Sequence, residues 1–330
     1  MRALYYVGPE QVEMREAEEL PLAEGESRVR IQATGICGSD LHAFHGHDPR
    51  RKPPLILGHE AAGEVIEGPL LGKRVTMNPL IICGHCDYCM EGRQNLCANR
   101  TMIGMTRPGS FAETLTIPSH CLIELPDSLS AEAAALTEPA ATALHGVNRL
   151  AACLPRPLSE GRVLVIGGGA IGLLTALILR HKGGRHLQVA ETNLPRRNTA
   201  EKAGLTAFDP RSEAPEADAF DAVFDCVGSA PTRQMAVHCI RPGGAIMHLG
   251  LQDNEGSLDT RAITLKEVAF LGAYTYTSAD LRATVDLLDS QALGELSWVE
   301  VRHLEDGDSA FADLVAGRTP AAKVILKPHG

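Results

Sequence analysis

Four cysteines fall within one short stretch of the sequence, and their spacing is typical of metal ligands. They are Cys83, Cys86, Cys89 and Cys97. Four thiolates leave no open coordination position, which suits a closed tetrahedral zinc site. The chain has nine cysteines and no secretory context, so such clustering indicates metal ligation rather than disulfides. We therefore predict a structural zinc site, with His85 as a bystander.

A zinc ribbon that binds nucleic acid is the alternative interpretation of the same four cysteines. Residues 83–100 carry Arg93 and Arg100 against Asp87 and Glu91, so this segment has no excess of positive charge. Binding to nucleic acid depends on a basic surface that neutralises phosphates. The charge balance therefore favours a structural site.

A second group of potential metal ligands is scattered along the sequence. Cys37, His59, Glu60 and Glu138 offer a thiol, an imidazole and two carboxylates. Three such protein ligands and a water molecule form the type of zinc site that keeps one position open for catalysis. Spacing alone also allows a purely structural role for each residue, and that alternative stays open at this point.

A helix is predicted to begin beside the last of these residues. Glu138 precedes Pro139, and proline is favoured at the first position of a helix. We therefore predict that Glu138 is the N-cap of this helix. Thr142 would then lie one turn further along, on the same face as Glu138.

A glycine-rich turn follows a run of β-forming residues at 162–166. Its residues are Gly167, Gly168, Gly169, Ala170, Ile171 and Gly172. The first glycine of the pattern permits a tight turn, the second lets the backbone approach a pyrophosphate, and the third allows close packing of helix and strand. The N-terminus of the following helix supplies free N–H groups for phosphates. This arrangement predicts dinucleotide binding; a glycine turn without a ligand is the alternative.

Glu191 is expected to bind the adenosine ribose of that dinucleotide. It lies 19 residues after Gly172, at the end of the next predicted strand, where dinucleotide-binding folds place such an acid. A carboxylate there repels a 2′-phosphate, so the sequence favours NAD over NADP. Arg196 is placed to cover the adenine ring, although a nearby arginine can also accommodate a 2′-phosphate.

Length and composition indicate a globular protein of two domains. The chain has 330 residues, of which 44% are hydrophobic and 22% charged. Its net charge of −10 argues against a nucleic-acid partner. No secretory signal is evident, and a buried strand, turn and helix explain the apolar run at 163–179 better than a membrane helix does. These features predict a cytoplasmic protein.

The elements that must position the candidate residues change along the chain. Over the first 120 residues, short apolar runs between glycine, proline and asparagine predict a barrel-like β domain. From residue 161 to about 277, apolar strands alternate with helices, which predicts a parallel, doubly wound α/β sheet. The final apolar run, at 322–326, is again predicted as a strand. The remaining cysteines are predicted to be small buried residues; they are Cys121, Cys153, Cys226 and Cys239.

Taken together, these motifs resemble the zinc-dependent medium-chain dehydrogenase/reductase family of alcohol and polyol dehydrogenases, in a sorbitol-dehydrogenase-like form. The resemblance covers essentially the whole chain, from the Gly-Ile-Cys-Gly-Ser-Asp segment at 35–40 to the final strand. The family's fold implies a GroES-like, β-rich catalytic domain made of residues 1–150 and 279–330. It also implies a Rossmann NAD-binding domain, a doubly wound parallel sheet, made of residues 151–278.

The resemblance also implies roles at the second metal site. Cys37 and His59 match ligands of the catalytic zinc, and Glu60 matches a ligand or a close neighbour of it. Glu138 occupies a position at which many alcohol dehydrogenases have a cysteine ligand. The sorbitol-dehydrogenase-like and threonine-dehydrogenase-like members have a glutamate there, as this chain does. With the four-cysteine site, two zinc ions per chain are expected.

Three further residues match positions around the substrate and the coenzyme. Ser39 matches the hydroxyl that passes on the substrate proton, and His42 matches a histidine later in that relay. Thr142 matches a contact to the nicotinamide. The loop at 67–71 is shorter than is usual in the family, and none of these residues lies on it.

The expected function is hydride transfer between NAD and a secondary alcohol of the polyol or sugar-derived class. The partner would be a small-molecule alcohol or ketone, and family members are usually dimers or tetramers. The alternatives are a zinc-free, NADPH-dependent reductase of the same superfamily and a non-catalytic dinucleotide-binding sensor. Neither nucleic acid nor a membrane is expected as a partner.

Overall fold

The structure is a computed structural model that describes residues 1–19 and 21–329. Its strands are β1 (Arg2–Gly8), β2 (Gln11–Glu16), β3 (Glu26–Gly35), β4 (Leu55–Ile56), β5 (Glu60–Glu67), β6 (Arg74–Met77), β7 (Leu80–Ile81), β8 (Thr101–Met102), β9 (Thr114–Pro118), β10 (Leu122–Glu124), β11 (Arg162–Ile166), β12 (His186–Ala190), β13 (Thr206–Phe208), β14 (Phe220–Asp225), β15 (Ile240–His248), β16 (Ala269–Gly272), β17 (Val299–His303) and β18 (Lys323–Lys327). Its α-helices are α1 (Gly38–Phe44), α2 (Asp87–Met90), α3 (Ala131–Ala134), α4 (Thr137–Ala151), α5 (Ala170–His181), α6 (Leu194–Lys202), α7 (Ala230–Cys239), α8 (Thr260–Leu265), α9 (Ser278–Asp289) and α10 (Gly307–Val315).

A seven-stranded sheet unites the beginning and the end of the chain. Its strand order is β10-β6-β5-β3-β18-β17, and β9 also pairs with β3. The central strand, β3, buries Val29, Ile31 and Ala33 while Arg30 between them is exposed, as the two-residue period of a strand requires. Because β18 is antiparallel to β3, the last strand of the chain lies directly beside the first residues of the candidate metal site.

The second large sheet has six strands in the order β13-β12-β11-β14-β15-β16, and every neighbouring pair is parallel. Helices cover both faces of this sheet. Val163 and Val165 of β11 pack into the apolar core shared with α4, α5 and α9, whereas Leu164 and Ile166 pack into the core shared with α7. A strand buried on both faces reads as a continuous apolar run, which is why the sequence predicted this doubly wound sheet correctly.

Two local predictions are wrong. Helix α4 begins at Thr137 with Leu136 as its N-cap, so Glu138 lies in the first turn and is not the cap. Pro139 is tolerated there because the first N–H groups of a helix have no acceptor within the helix. Cys153 is exposed rather than buried, because α4 ends at Ala151 and the following turn carries Cys153 on the surface.

The apolar run at 163–179 forms β11, the glycine turn and most of α5. Within residues 1–19 and 21–329, no helix is both long enough and apolar enough to cross a membrane. The strand-turn-helix interpretation of this run is therefore confirmed.

A cluster of hydrogen bonds joins α4 to the start of α9. The carboxylate of Asp280 accepts hydrogen bonds from His145 Nδ1 at 2.8 Å and from Asn148 Nδ2 at 3.0 Å, both on α4. It also accepts the N–H and the hydroxyl of Thr277, the N-cap of α9, at 3.1 and 2.6 Å. Burial raises the pKa of Asp280, but the hydrogen bonds from His145 and Thr277 outweigh burial and lower the pKa to about 2.

We expect the Asp280→Asn substitution to lower the free energy of unfolding at neutral pH by about 2 kcal/mol, because it removes a carboxylate whose pKa is lower in the folded than in the unfolded chain. The stabilisation is present above the ordinary aspartate pKa and is lost as the pH falls towards the folded value. Urea unfolding at pH 7 and at pH 3 measures it, with Asp286→Asn, an exposed aspartate of α9, as the control. A difference between Asp280→Asn and wild type that stays the same at pH 3 would contradict the assignment.

Candidate functional site: two metal-ligand clusters and a dinucleotide turn

The four predicted zinc-ligand cysteines form one compact sulfur cluster. The Sγ atoms of Cys83 and Cys97 are 3.5 Å apart, those of Cys86 and Cys89 are 3.5 Å apart, and those of Cys83 and Cys89 are 4.0 Å apart. A tetrahedral zinc with Zn–S bonds of about 2.3 Å requires Sγ separations of about 3.8 Å. The cluster therefore fits a closed zinc site.

Short local elements hold these cysteines in place. Cys86 is the N-cap of α2, Cys89 lies within α2, and Gly84 turns the chain before them with a positive φ of 78°. Backbone N–H groups of His85 and Cys86 lower the pKa of the Cys83 thiol to about 6, which favours the thiolate that binds metal. The His85 ring is not part of the sulfur cluster, because its Nδ1 pairs with the carbonyl oxygen of Cys83 at 2.8 Å.

A second cluster, of Cys37, His59 and Glu60, lies where β3 and β5 pair. One ligand atom from each of the three lies within 4.8 Å of the others. Cys37 follows β3 as the N-cap of α1, and Glu60 is the first residue of β5, where it pairs with Gly35. The antiparallel ladder thus brings together residues that are 22 and 23 positions apart. His59 and Glu60 are almost fully buried.

Asp40 lies beside both His59 and the backbone of Cys37. Its Oδ1 is 3.5 Å from His59 Nδ1, and its Oδ2 accepts the backbone N–H of Cys37 at 3.0 Å. Burial disfavours a charged imidazole, but the charges of Asp40 and Cys37 raise the pKa of His59 well above its usual value. A carboxylate facing one ring nitrogen leaves the other nitrogen free as a metal ligand.

The carboxylate of Glu60 is bound to a lysine from the end of the chain. Lys323 Nζ donates to Glu60 Oε1 and Oε2 at 2.8 and 2.7 Å and to the carbonyl oxygen of Ile36 at 3.0 Å. Glu60 is 0% and Lys323 is 3% exposed to solvent. Glu60 is therefore already neutralised, which makes it a weaker candidate ligand than a carboxylate without such a partner.

Glu138 faces the same site from α4 but lies outside the compact group of three. Its side chain is buried, and burial together with the charge of Glu60 raises its pKa to about 7, although the charge of His59 opposes the shift. Tyr276 lies close to Glu138, and burial and the Glu138 charge raise the pKa of this phenol well above its usual value. Thr142, half-buried, lies one turn further along α4.

The two predicted relay residues, Ser39 and His42, lie on α1, directly after Cys37. Ser39 Oγ is 3.4 Å from His59 Nε2. His42, at the end of α1, has its Nε2 at 3.0 Å from the carbonyl oxygen of Leu251, which follows β15 of the parallel sheet. The ring of His47 lies 5.8 Å from that of His42. The loops after β15 and β16 thus reach His42 and Glu138 respectively.

The glycine turn joins β11 to α5 as predicted. Gly167 has a φ of 99°, Gly169 is the N-cap of α5, and Ala170 and Ile171 begin the helix. A Cβ atom on Gly172 would overlap the carbonyl oxygen of Gly167. A Cβ atom on Gly169 would meet no atom within 4 Å, so the backbone is open to a ligand there.

Glu191 follows β12 and lies directly against the glycine turn. Its Oε2 accepts the N–H of Gly168 and its Oε1 accepts the N–H of Asn193, each at 2.7 Å. Asn193 Oδ1 in turn accepts the N–H of Arg196 as the N-cap of α6. Within residues 1–19 and 21–329, Arg196 Nε is buried without a hydrogen-bond partner.

Sequence reasoning missed several residues that hold the site together. Asp40, three positions after Cys37, forms a capping box with it, and this spacing was a signal that could have revealed the contact with the backbone. From the sequence, Lys323 is predicted only to be part of the final strand, at 322–326. Nothing in the sequence indicates that it pairs with Glu60, 263 positions away.

Comparisons with known proteins agree with this arrangement. Residues 23–127 match the family model of the alcohol dehydrogenase GroES-like domain, and residues 170–290 match the model of the zinc-binding dehydrogenase. The L-threonine 3-dehydrogenase of Yersinia pestis (strain Pestoides F) is 32% identical, over 83% of this chain and 84% of that protein. The chain belongs to the zinc-dependent medium-chain dehydrogenase/reductase family, as its motifs predicted.

Solved structures show the same fold over the whole length. A Sinorhizobium meliloti 1021 protein assigned as a zinc-binding dehydrogenase and bound to NADP is 30% identical, with a TM-score of 0.87 over 99% of both chains. The alcohol dehydrogenase TADH from Thermus sp. ATN1 is 27% identical, also with a TM-score of 0.87 over 99% of both chains. The predicted combination of a GroES-like part and a Rossmann-type sheet is confirmed.

The four-cysteine cluster leads to a prediction about metal content. We expect Cys89→Ser to lose about one zinc per chain after dialysis against a weak chelator, and to unfold at a lower urea concentration, because the energy of metal binding also orders the surrounding loop. Elemental analysis and urea unfolding measure the two effects. Cys153→Ser, at an exposed cysteine outside the cluster, should behave as wild type. Unchanged zinc content in Cys89→Ser would rule out the assignment.

Proposed function

We propose that this protein is a zinc-dependent dehydrogenase that oxidises a secondary alcohol, of the polyol or sugar-derived class, with NAD. The observation that carries the proposal is the proximity of the Cys37, His59 and Glu60 cluster to the loops that follow β15 and β16. The loop after β15 reaches His42 of α1, and Tyr276, after β16, lies close to Glu138. Both loops lie at the carboxyl edge of the parallel sheet. A dinucleotide in such a fold binds outside that edge.

The chemistry of the donor set fits a catalytic zinc. A thiol, an imidazole and a carboxylate are ligands that zinc accepts, and an open position remains for substrate. Cys37, His59 and Glu138 would hold the ion. The ion pair with Lys323 would keep Glu60 close to the ion without making it a ligand. When bound, zinc supplies Lewis acidity to the substrate hydroxyl and NAD supplies the hydride acceptor.

The chain's own residues bind the coenzyme and move the proton. Gly167 and Gly169 let the backbone approach the pyrophosphate, and Thr142 would contact the nicotinamide. Ser39 would accept the substrate proton at Oγ, and His42 would carry it towards solvent. We propose domain limits of 1–150 and 279–330 for the catalytic domain and 151–278 for the NAD-binding domain.

The preference for NAD depends on Glu191. Its two oxygens accept backbone N–H groups, so the negative charge is fixed at the end of β12, where the adenosine ribose would lie. A fixed carboxylate there accepts ribose hydroxyls and repels a 2′-phosphate. Arg197 and Arg211 lie nearby, but both donate to Asp209, at 3.1 and 2.8 Å, which reduces their attraction for a phosphate.

A panel of secondary alcohols and polyols, assayed with NAD and with NADP, tests the proposal. We expect reduced coenzyme to form with NAD and the Cys37→Ser variant to lose turnover while it still binds NADH, because the substitution removes a metal ligand and leaves the glycine turn unchanged. Absorbance of the reduced coenzyme measures turnover, and fluorescence titration measures binding. Full activity in Cys37→Ser, or a wild-type protein that holds no zinc and prefers NADPH, would refute a catalytic zinc. Absence of turnover in the presence of two zinc ions would favour a non-catalytic sensor.

The coenzyme assignment gives a separate prediction. In Glu191→Ala, the ratio of kcat/KM for NAD to kcat/KM for NADP is expected to fall by about tenfold or more, because a charged hydrogen-bond acceptor for the ribose and a repulsive charge are both lost. The ratio separates coenzyme choice from a general loss of activity. Glu201→Ala, at an exposed glutamate of α6, is the control. An unchanged ratio would show that Glu191 does not contact the ribose.

A further inference from the structure

Arg51 is a buried arginine whose guanidinium lies beside the proposed relay serine. Its side chain is 1% exposed. Nε donates to the carbonyl oxygen of Gly104 at 2.9 Å, and Nη1 donates to the carbonyl oxygen of Ser39 at 3.1 Å and to Asp48 Oδ2 at 2.9 Å. Nη2 donates to Ser39 Oγ at 3.2 Å. Every nitrogen of the guanidinium is thus engaged.

These contacts connect the segment that carries Cys37 with a loop that packs on the residue before His59. Ser39 lies two residues after Cys37, at the start of α1. Gly104 packs so closely on Gly58, the residue before His59, that a Cβ atom on Gly104 would lie 2.6 Å from the Gly58 carbonyl oxygen. Burying a guanidinium is costly without full pairing, so its placement here fixes the segments it joins.

The chemistry of the two groups fixes the direction of the contact. An arginine side chain has donors only and keeps its charge, so Ser39 Oγ must accept from it. A serine hydroxyl has two acceptor lone pairs and one hydrogen. With one lone pair occupied by Arg51, the other lone pair and the hydrogen are directed away from the guanidinium and remain available to other partners; His59 Nε2 lies 3.4 Å from the same oxygen.

We propose that Arg51 is a positioning residue that orients the Ser39 hydroxyl for proton transfer, an inference that rests on the proposed function. The substrate hydroxyl donates to the free lone pair of Ser39 Oγ. Its O–H bond breaks as a new Oγ–H bond forms, the original Oγ–H bond of Ser39 breaks, and that proton passes towards the neutral imidazole of His42, whose Nδ1 accepts it and releases it to solvent. Ser39 ends each turnover as a neutral hydroxyl, and Arg51 keeps its proton throughout.

The adjacent Arg50 provides a matched control. It also pairs with Asp48, through Nε and Nη2 at 2.8 and 2.9 Å, but its side chain is 63% exposed. Within the described part of the chain, none of its hydrogen bonds reaches Ser39. Arg50→Lys therefore alters a charge pair on the same aspartate without altering the relay.

The test is a double-mutant cycle of Arg51→Lys and Ser39→Ala, read as the single-turnover rate of hydride transfer in H₂O and in D₂O. Lysine keeps the charge beside Asp48 but cannot make all four hydrogen bonds. We expect Arg51→Lys to slow hydride transfer about tenfold and to enlarge the solvent isotope effect, with NADH affinity and zinc content close to wild type. In the Ser39→Ala background, Arg51→Lys should add less than about a twofold loss. Arg50→Lys should match wild type.

Additive losses in the cycle, or an Arg51→Lys rate equal to wild type, would overturn the role of Arg51. A Ser39→Ala variant that transfers hydride at the wild-type rate would instead overturn the proposed relay itself. Should Arg51→Lys not fold, neutron diffraction on the wild-type protein decides the matter. If the hydrogen of the Ser39 hydroxyl is directed away from Arg51, the proposal is supported. If that hydrogen is directed at the guanidinium, the proposal is overturned.

Discussion

The buried ion pair between Lys323 and Glu60 is the interaction on which the candidate site depends. Each charge would be expensive to bury alone, and the pair is satisfied by two short hydrogen bonds and the Ile36 carbonyl. Because Lys323 lies on β18, the pair fixes the last strand of the chain beside β3 and β5. Cys37 follows one of these strands and His59 precedes the other. The ligand cluster is therefore built by both ends of the chain.

The charges around this cluster are balanced in a way that suits a cation. Asp40 faces His59, Asp48 faces Arg51 and Lys323 faces Glu60. Within residues 1–19 and 21–329, Glu138 has no ion-pair partner within 4.0 Å, although it is buried. On the proposed ligand set of Cys37, His59 and Glu138, a divalent cation would compensate the buried Glu138 carboxylate.

The features predicted from sequence are those encoded by local spacing. The four cysteines and the glycine turn each occupy one short segment, so their geometry follows from the turn and helix that carry them. Cys37 and His59 could be paired only through the family resemblance, because their meeting depends on strand register. Lys323 and Arg51 were not predicted at all: a charged side chain in a sequence gives no signal that it will be buried or which distant group it will face. The start of α4 was misplaced because proline is tolerated throughout a first turn, not only at its first position.

The two ligand clusters differ greatly in the length of chain that separates their most distant supporting contacts. Cys83 and Cys97 are 14 positions apart, whereas Glu60 and Lys323 are separated by 263. Closing a short loop costs less conformational entropy and happens sooner than joining distant strands. The sulfur cluster can thus form while the nascent protein is still acquiring its tertiary structure, whereas Glu60 gains its buried partner only once the carboxyl-terminal strand has docked. If both proposed zinc ions bind, their loading would follow the same order, and a polypeptide truncated before β18 would leave the Glu60 carboxylate without Lys323.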